Sequence, residues 1–177
     1  MRVTISGPPG SGKTTVCQRL SELLRVECVI SGTIFRQMAR EHELSLAEFG
    51  RLAEGDPMYD RELDERMVEI ARENEDIILE GRLTAHMLSR NDIPAFRIYL
   101  DADVDERAMR VAKREDLPLE EAREMIVTRE RSEATRYLAY YDIDIGGRSI
   151  YDLVVNTTSI PAEEVADRIV AKLEEIT

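Results

Sequence analysis

Gly7-Pro8-Pro9-Gly10-Ser11-Gly12-Lys13-Thr14 sets glycines, a lysine and a hydroxyl at the spacing G-x-x-x-x-G-K-[ST]. Glycines let a backbone wrap closely round a phosphate, with amide N–H groups turned inward and no Cβ in the way. Lys13 adds a mobile cation, and the Thr14 hydroxyl can hold Mg²⁺. Thr15 continues into a predicted helix, whose N-terminal dipole adds positive potential. A chance match in a chain of this length arises on the order of once in a hundred cases or fewer. The motif predicts a nucleotide-phosphate site.

The arginines decide what such a site does. Arg36 follows a predicted second strand and Arg82 ends a predicted third, both near the carboxyl edge of a sheet. Arg129 and Arg136 lie seven apart on one face of a late helical segment, with Arg131 turned away from them. An enzyme joining two phosphate-bearing substrates must overcome like-charge repulsion, and fixed cations for acceptor and transferring group do this. It needs no strong general base, because the acceptor is itself a phosphate oxygen. Arg107, Arg110 and Arg114, at i, i+3 and i+7, read instead as a solvated face, with Glu106 placed to pair with Arg110. On that face Arg110 and Arg114 are the ones expected to depart from this reading.

These residues need elements to hold them. Val3 to Ser6, Cys28 to Ile30, Ile77 to Leu79, Phe96 to Leu100 and Leu153 to Val155 read as short strands. Between them lie helical stripes: Val16, Leu20, Leu23 and Leu24, then Leu63, Met67 and Ile70. Ser45 with Glu48 spells a capping box, Asp56-Pro57 an N-cap and first helical position, and Pro161 the start of a last helix. Alternating strands and helices predict an α/β fold, a parallel sheet with ligands at the carboxyl ends of its strands.

Composition narrows the classes further. The 177 residues include 24 basic and 36 acidic side chains, a formal charge of −12. An acidic surface disfavours nucleic-acid polymers and anionic membranes, no apolar run is long enough to span a bilayer, and the N-terminus is no signal peptide. Cys17 and Cys28 are the only cysteines. They are expected as separate small core residues in a reduced, cytoplasmic protein. His42 and His86 lack metal-ligand neighbours and read as structural or exposed. Tyr137 and Tyr141 are expected to pack on the core or lid. A GTPase would need an Asn-Lys-x-Asp element, which the sequence lacks. Two classes remain: a small kinase, or a nucleotide-switched binding module with slow, partner-stimulated ATPase activity.

In combination and order the motifs resemble the nucleoside monophosphate kinases, and most closely the archaeal cytidylate kinases. GPPGSGKTT is similar to the family's phosphate loop, SGTIFR (31–36) to the start of its acceptor-binding helix, and LEGR (79–82) to its strand-end element. RERSEATRYLAYY (129–141) resembles the arginine segment after the lid, and YDLVVNT (151–157) the loop near the donor adenine. The resemblance implies a P-loop NTPase fold: a parallel five-stranded sheet flanked by helices, in one domain over 1–177. Its core would be 1–30, 75–112 and 150–177, with a helical acceptor-binding insert at 31–74 and a short lid at 113–149. It implies ATP with Mg²⁺ and CMP or dCMP as acceptor. Gly7 to Thr15 would bind ATP, with Thr14 on the metal. Ser31, Arg36, Gly81 and Arg82 would bind the acceptor, and Lys13, Arg129 and Arg136 would be catalytic. Glu80 stands where bacterial members carry aspartate, and Leu83 where they carry a second. The acceptor base rests on the resemblance, so UMP, AMP or another small acceptor stays open. Shikimate is disfavoured by Ser31-Gly32 where an acid would grip its hydroxyls. A monomer is the default.

Overall fold

Ile77, Ile78 and Leu79 are fully buried, and the alternation of a strand sends their side chains to opposite faces of a sheet. Ile78 joins Val3, Ile5, Val16, Leu20, Ile98 and Ile169 in one core, while Ile77 and Leu79 join Met67, Leu83, Leu88 and Tyr137 in another. A strand apolar on both faces belongs in the middle layer of a helix–sheet–helix sandwich.

The computed structural model describes residues 1–176. Five strands, β1 (Arg2–Ser6), β2 (Cys28–Ile30), β3 (Ile77–Glu80), β4 (Phe96–Asp101) and β5 (Leu153–Asn156), form one sheet in the order β2-β3-β1-β4-β5. Every pairing is parallel. Helices α1 (Lys13–Leu24) and α8 (Ala162–Glu174) cover the first face. Helices α4 (Pro57–Glu73) and α5 (Thr84–Arg90), with the end of α7 (Leu119–Tyr141), cover the second. The expected fold class is the one observed, and among the described residues no helix is long and apolar enough to cross a membrane.

Local chemistry sets the helix ends as read. Ser45 and Glu48 exchange both hydrogen bonds of a capping box at α3 (Leu46–Gly55), and Asp56 Oδ1 accepts from Met58 N at 2.9 Å, with Pro57 opening α4. Helix α2 (Ser31–Glu41) packs on α3 and α4 through its own small core of Met38, Ala39 and Phe49. The His42 ring stacks on Phe49 at 5.3 Å, so that histidine is structural as expected.

Two expectations are corrected. Cys17 on α1 and Cys28 on β2 are joined in a disulfide, not held as separate thiols. The crossover from β1 through α1 to β2 lays the helix over the strand and brings the two Cα atoms to 6.2 Å, within bonding range. Arg107, on α6 (Val104–Glu115), is buried and not solvated. Its Nε donates to Ala102 O at 2.9 Å and its Nη1 to Pro9 O at 3.1 Å, with Glu130 in an ion pair. A buried guanidinium needs a partner for its donors, and these two carbonyls with Glu130 supply them under the loop. Arg110 pairs with Glu106 as predicted, and Arg114 stays exposed.

Candidate active site

The residues between β1 and α1 form a tight loop whose shape depends on glycine. Gly10 has φ +80, and a Cβ there would lie 2.8 Å from Arg107 O. At Gly7 a Cβ would fall on the Leu100 carbonyl oxygen. Gly12 caps α1 in a left-handed conformation with no side-chain hydrogen bond, so the first N–H groups of the helix face outward. Ser11 Oγ is buried without a partner at the same place. A glycine-shaped loop, a helix N-terminus without a side-chain cap and an unpaired buried hydroxyl are the makings of an anion cradle.

Lys13 Nζ rests on Pro8 O at 2.9 Å. Burial pushes its ammonium down to about 8, helped by Arg82 and Arg129 and opposed by Glu80 and Glu133. At neutral pH it is still a cation. Thr14 Oγ1 donates to Glu80 Oε2 at 3.2 Å. That hydroxyl and carboxylate are hard oxygen ligands of the kind a hydrated divalent cation uses, beside a phosphate cradle. Glu80 thus lies beside Thr14 at the edge of the phosphate loop, where the longer side chain still brings its carboxylate to the hydroxyl.

A cleft of about 1470 Å³ opens beyond the loop. Pro9, Gly10, Lys13, Thr14, Ser31, Arg36, Gly81, Arg82, Arg129 and Arg136 all line it. Ser11, Gly12 and Thr15 line a neighbouring pocket of about 470 Å³, walled by Arg110, Thr157 and Ile160. Gly7 and Pro8 lie beneath, accepting hydrogen bonds from Arg82 and Lys13 through their carbonyls. The sheet explains the convergence. Strand β3 lies beside β1, so Arg82 reaches across to Gly7 O at 2.6 Å, and β2 on the other side of β3 delivers Ser31 and Arg36.

Two carboxylates, Glu133 and Asp60, organise these cations and a third, Asp64, stands beside them; the sequence pattern singled out none of the three. Glu133 on α7 accepts from Arg82 Nε on one oxygen and from Arg129 Nε on the other at 2.8 Å. Its side chain is 4% exposed. Burial opposes its charge, but the two guanidiniums outweigh burial and hold the carboxyl below the usual range. Asp60 on α4 accepts from Arg136 Nη1 at 2.9 Å, and Asp64, one turn on, accepts from Tyr141 OH at 2.7 Å. Burial raises both aspartates, Asp64 to about 7, with Asp60 and Glu65 adding repulsion to it. Arg36, by contrast, is exposed and in no ion pair among the described residues, its Nη2 touching only Thr33 Oγ1 at 3.3 Å. One signal for Glu133 was visible: an acid four residues after Arg129.

Comparison with known proteins agrees with this architecture. The chain is 50% identical over 93 residues to the cytidylate kinase of Methanoregula boonei, covering 52% of this chain and 51% of that one. It is 49% identical over 102 residues to the cytidylate kinase of Halobacterium salinarum, covering 58% and 52%. The chain thus spans about half the length of the curated relatives it matches. Among solved structures, shikimate kinase from Acinetobacter baumannii superposes with a TM-score of 0.68 at 19% identity, covering 99% of this chain and 94% of that one. Shikimate kinase from Aquifex aeolicus superposes at 0.61 and 21%, covering 99% and 97%. At such identities these two share the fold of this chain. The model of the cytidylate kinase-like family matches residues 2–159, which takes in the phosphate loop and all five arginines that line the cleft, and the chain belongs to that family.

Proposed function

We propose that the protein transfers the terminal phosphoryl group of ATP to CMP, and to dCMP, releasing ADP. The observation that carries this reading is one cleft with two sets of fixed cations beside a phosphate loop. Arg36 and Arg82 are assigned to the acceptor phosphate, with Ser31 and Gly81 beside it. Lys13, Arg129 and Arg136 are assigned to the transferring group. The choice of CMP follows the relatives, which are named cytidylate kinases.

In this reading residues 7–13 hold the β-phosphate through backbone N–H groups, and Lys13 follows the migrating group. The smaller pocket beside Arg110 seats the donor base. Thr14 and Glu80 are the residues that would hold Mg²⁺, which would supply charge neutralisation to the phosphates. A loose phosphoryl transition state spreads charge over its equatorial oxygens, and Arg129 and Arg136 meet that charge without reorganisation. Both now rest on carboxylates, Arg129 on Glu133 and Arg136 on Asp60, which keep the arginines in place until phosphates arrive. We assign residues 31–74 to the acceptor-binding part and 113–149 to the lid. Closure of both would exclude water, which otherwise competes as acceptor.

A coupled ADP-release assay tests this with ATP, Mg²⁺ and a panel of CMP, dCMP, UMP, AMP, GMP and shikimate. Turnover confined to CMP and dCMP is expected. ADP release that ignores every acceptor would overturn the kinase reading, and fast turnover of UMP or AMP alone would overturn the cytidine one. Lys13→Ala and Arg136→Ala are each expected to lower kcat by about 10² or more. Near-wild-type kcat in either folded variant removes that residue from the mechanism.

A further inference from the structure

A cleft built for two phosphorylated substrates is expected to be basic, and most carboxylates on its wall have a reason to be there. Glu80 touches Thr14, Glu133 and Asp60 pair with arginines, Glu115 pairs with Arg114, and Glu54, Glu121 and Glu124 lie exposed on the rim. Asp64 differs from all of these. It is half-buried, lines the cleft, and has neither a cation nor a phosphate-loop group as partner. Its one hydrogen bond comes from the neutral Tyr141 hydroxyl to Oδ2, which leaves Oδ1 without a protein donor among the described residues.

Keeping an anion half-buried costs free energy, and a phosphate would be repelled by it. Asp60 and Glu65 on its own helix add like-charge repulsion, and the hydrogen bond from Tyr141 on α7 offsets only part of the cost. A carboxylate placed this way serves a ligand that brings hydrogen-bond donors. Position along α4 says which part of the ligand. Asp60, tied to Arg136, marks the end of the helix near the transferring group. Asp64 is one turn further, about 6 Å along the axis. Leu63 and Phe35 line the cleft with it, Phe35 immediately before Arg36, and they give an apolar wall suited to a flat ring.

We propose that Asp64 is the base-selecting residue of the acceptor site, its free oxygen accepting a hydrogen bond from the exocyclic amino group of cytosine. The inference rests on the acceptor reading given above. Uracil carries a carbonyl oxygen at that ring position, so it offers no donor and sets a lone pair against the carboxylate. A site built to hydrogen-bond one substrate rejects the isostere lacking the donor, because its own buried group is then left unpaired. Tyr141 is a positioning residue here: its hydroxyl holds Oδ2, which leaves Oδ1 as the oxygen open to a ligand in the cleft that Asp64 lines.

The test measures kcat/KM with CMP, UMP and the nucleotide of pyrimidin-2-one, which lacks the amino group, for the wild type and Asp64→Asn. Asparagine can either accept or donate at this place, and it removes a costly charge, so the fold is expected to survive. The wild type is expected to favour CMP over the other two by about 10² or more, and the variant to lower the CMP-to-UMP ratio by about tenfold or more. The same loss should appear when only the amino group is removed, with little further loss when both changes are combined. An unchanged CMP-to-UMP ratio in the variant overturns the inference. A loss shared equally by CMP and UMP also overturns it, since that is the signature of a carboxylate bound to ribose hydroxyls. Should the variant fail to fold, the wild type alone decides: equal kcat/KM for CMP and the pyrimidin-2-one nucleotide overturns the inference. Absence of CMP turnover in the wild type would instead sink the acceptor reading itself.

Discussion

Glu133→Gln is the perturbation that reaches furthest through the site. The substitution keeps shape and one acceptor oxygen but removes the charge shared by Arg82 and Arg129. The two pairs do not count equally. Arg129 is 62% exposed, so its pairing is screened and contributes little. Arg82 is 13% exposed against a carboxylate 4% exposed, and breaking a pair that deep costs about 3 kcal/mol or more. Arg82 keeps Gly7 O, and glutamine keeps a neutral hydrogen bond, so about 2–3 kcal/mol is the expected loss. With an unfolding entropy of about 2.1 cal/mol/K per residue, that lowers Tm by about 5–8 °C. Thermal unfolding followed by circular dichroism at pH 7.5 and moderate salt reads this directly, with Arg129→Ala as the control expected to shift Tm by about 2 °C or less. The pH dependence has a definite sign. The Glu133 carboxyl is held below its unfolded value, so its contribution is full above about pH 4.3 and fades as pH falls through the folded value. A variant melting within 1 °C of wild type, or a control as damaged as the variant, would refute this partition of the charge.

Other outcomes follow from the same site. The Lys13 ammonium sits at about 8, so ATP affinity in the free enzyme is expected to weaken as pH rises from 8 to 9, measured by equilibrium binding; a flat profile refutes it. Its lowered value also means the unfolded chain holds the proton more tightly, so this group makes stability rise between about pH 8 and 10.4. Reducing the Cys17–Cys28 disulfide frees a loop of 11 residues, and chain entropy gives about 3 kcal/mol, so Tm should fall by about 8 °C in reductant; Cys17→Ser/Cys28→Ser should melt alike with or without it. Gly10→Ala puts a Cβ 2.8 Å from Arg107 O at a positive φ, and is expected to weaken ATP binding by tenfold or more in a calorimeter; wild-type affinity would show that the loop tolerates the change.

What the sequence disclosed and what it concealed divide along a physical line. The phosphate loop is legible because close backbone approach demands glycine at fixed places, whatever the rest of the chain does. Strand and helix positions are legible from periodicity and from caps such as Ser45 and Asp56, which act within a few residues. Arg36 and Arg82 are legible because both follow strands, and a parallel sheet gathers strand ends at one edge. Partnership is what a linear pattern omits. Glu133 reads as one acid among arginines until α7 lays it beside Arg82, 51 residues away in sequence. Arg107 reads as solvated because its partners are carbonyls of Pro9 and Ala102, which have no sequence signature. The disulfide was missed because two cysteines on different elements reveal nothing until the crossover stacks those elements.

That disulfide has a consequence for how the molecule opens. Strand β2 has three residues and lies at the margin of the sheet, paired on one side only, with β3. Such a strand is ordinarily the first to fray, with an opening free energy well below that of global unfolding. The bond from Cys28 to α1 fastens it to the helix that follows the phosphate loop, so β2 cannot peel away without straining the interior that buries Cys17. Fraying is thereby displaced along the chain, past Ile30 and into α2 to α4. The clamp therefore stops at Ile30, and α2 and α3, which pack through their own small core of Met38, Ala39 and Phe49, are the next segments able to open without breaking it.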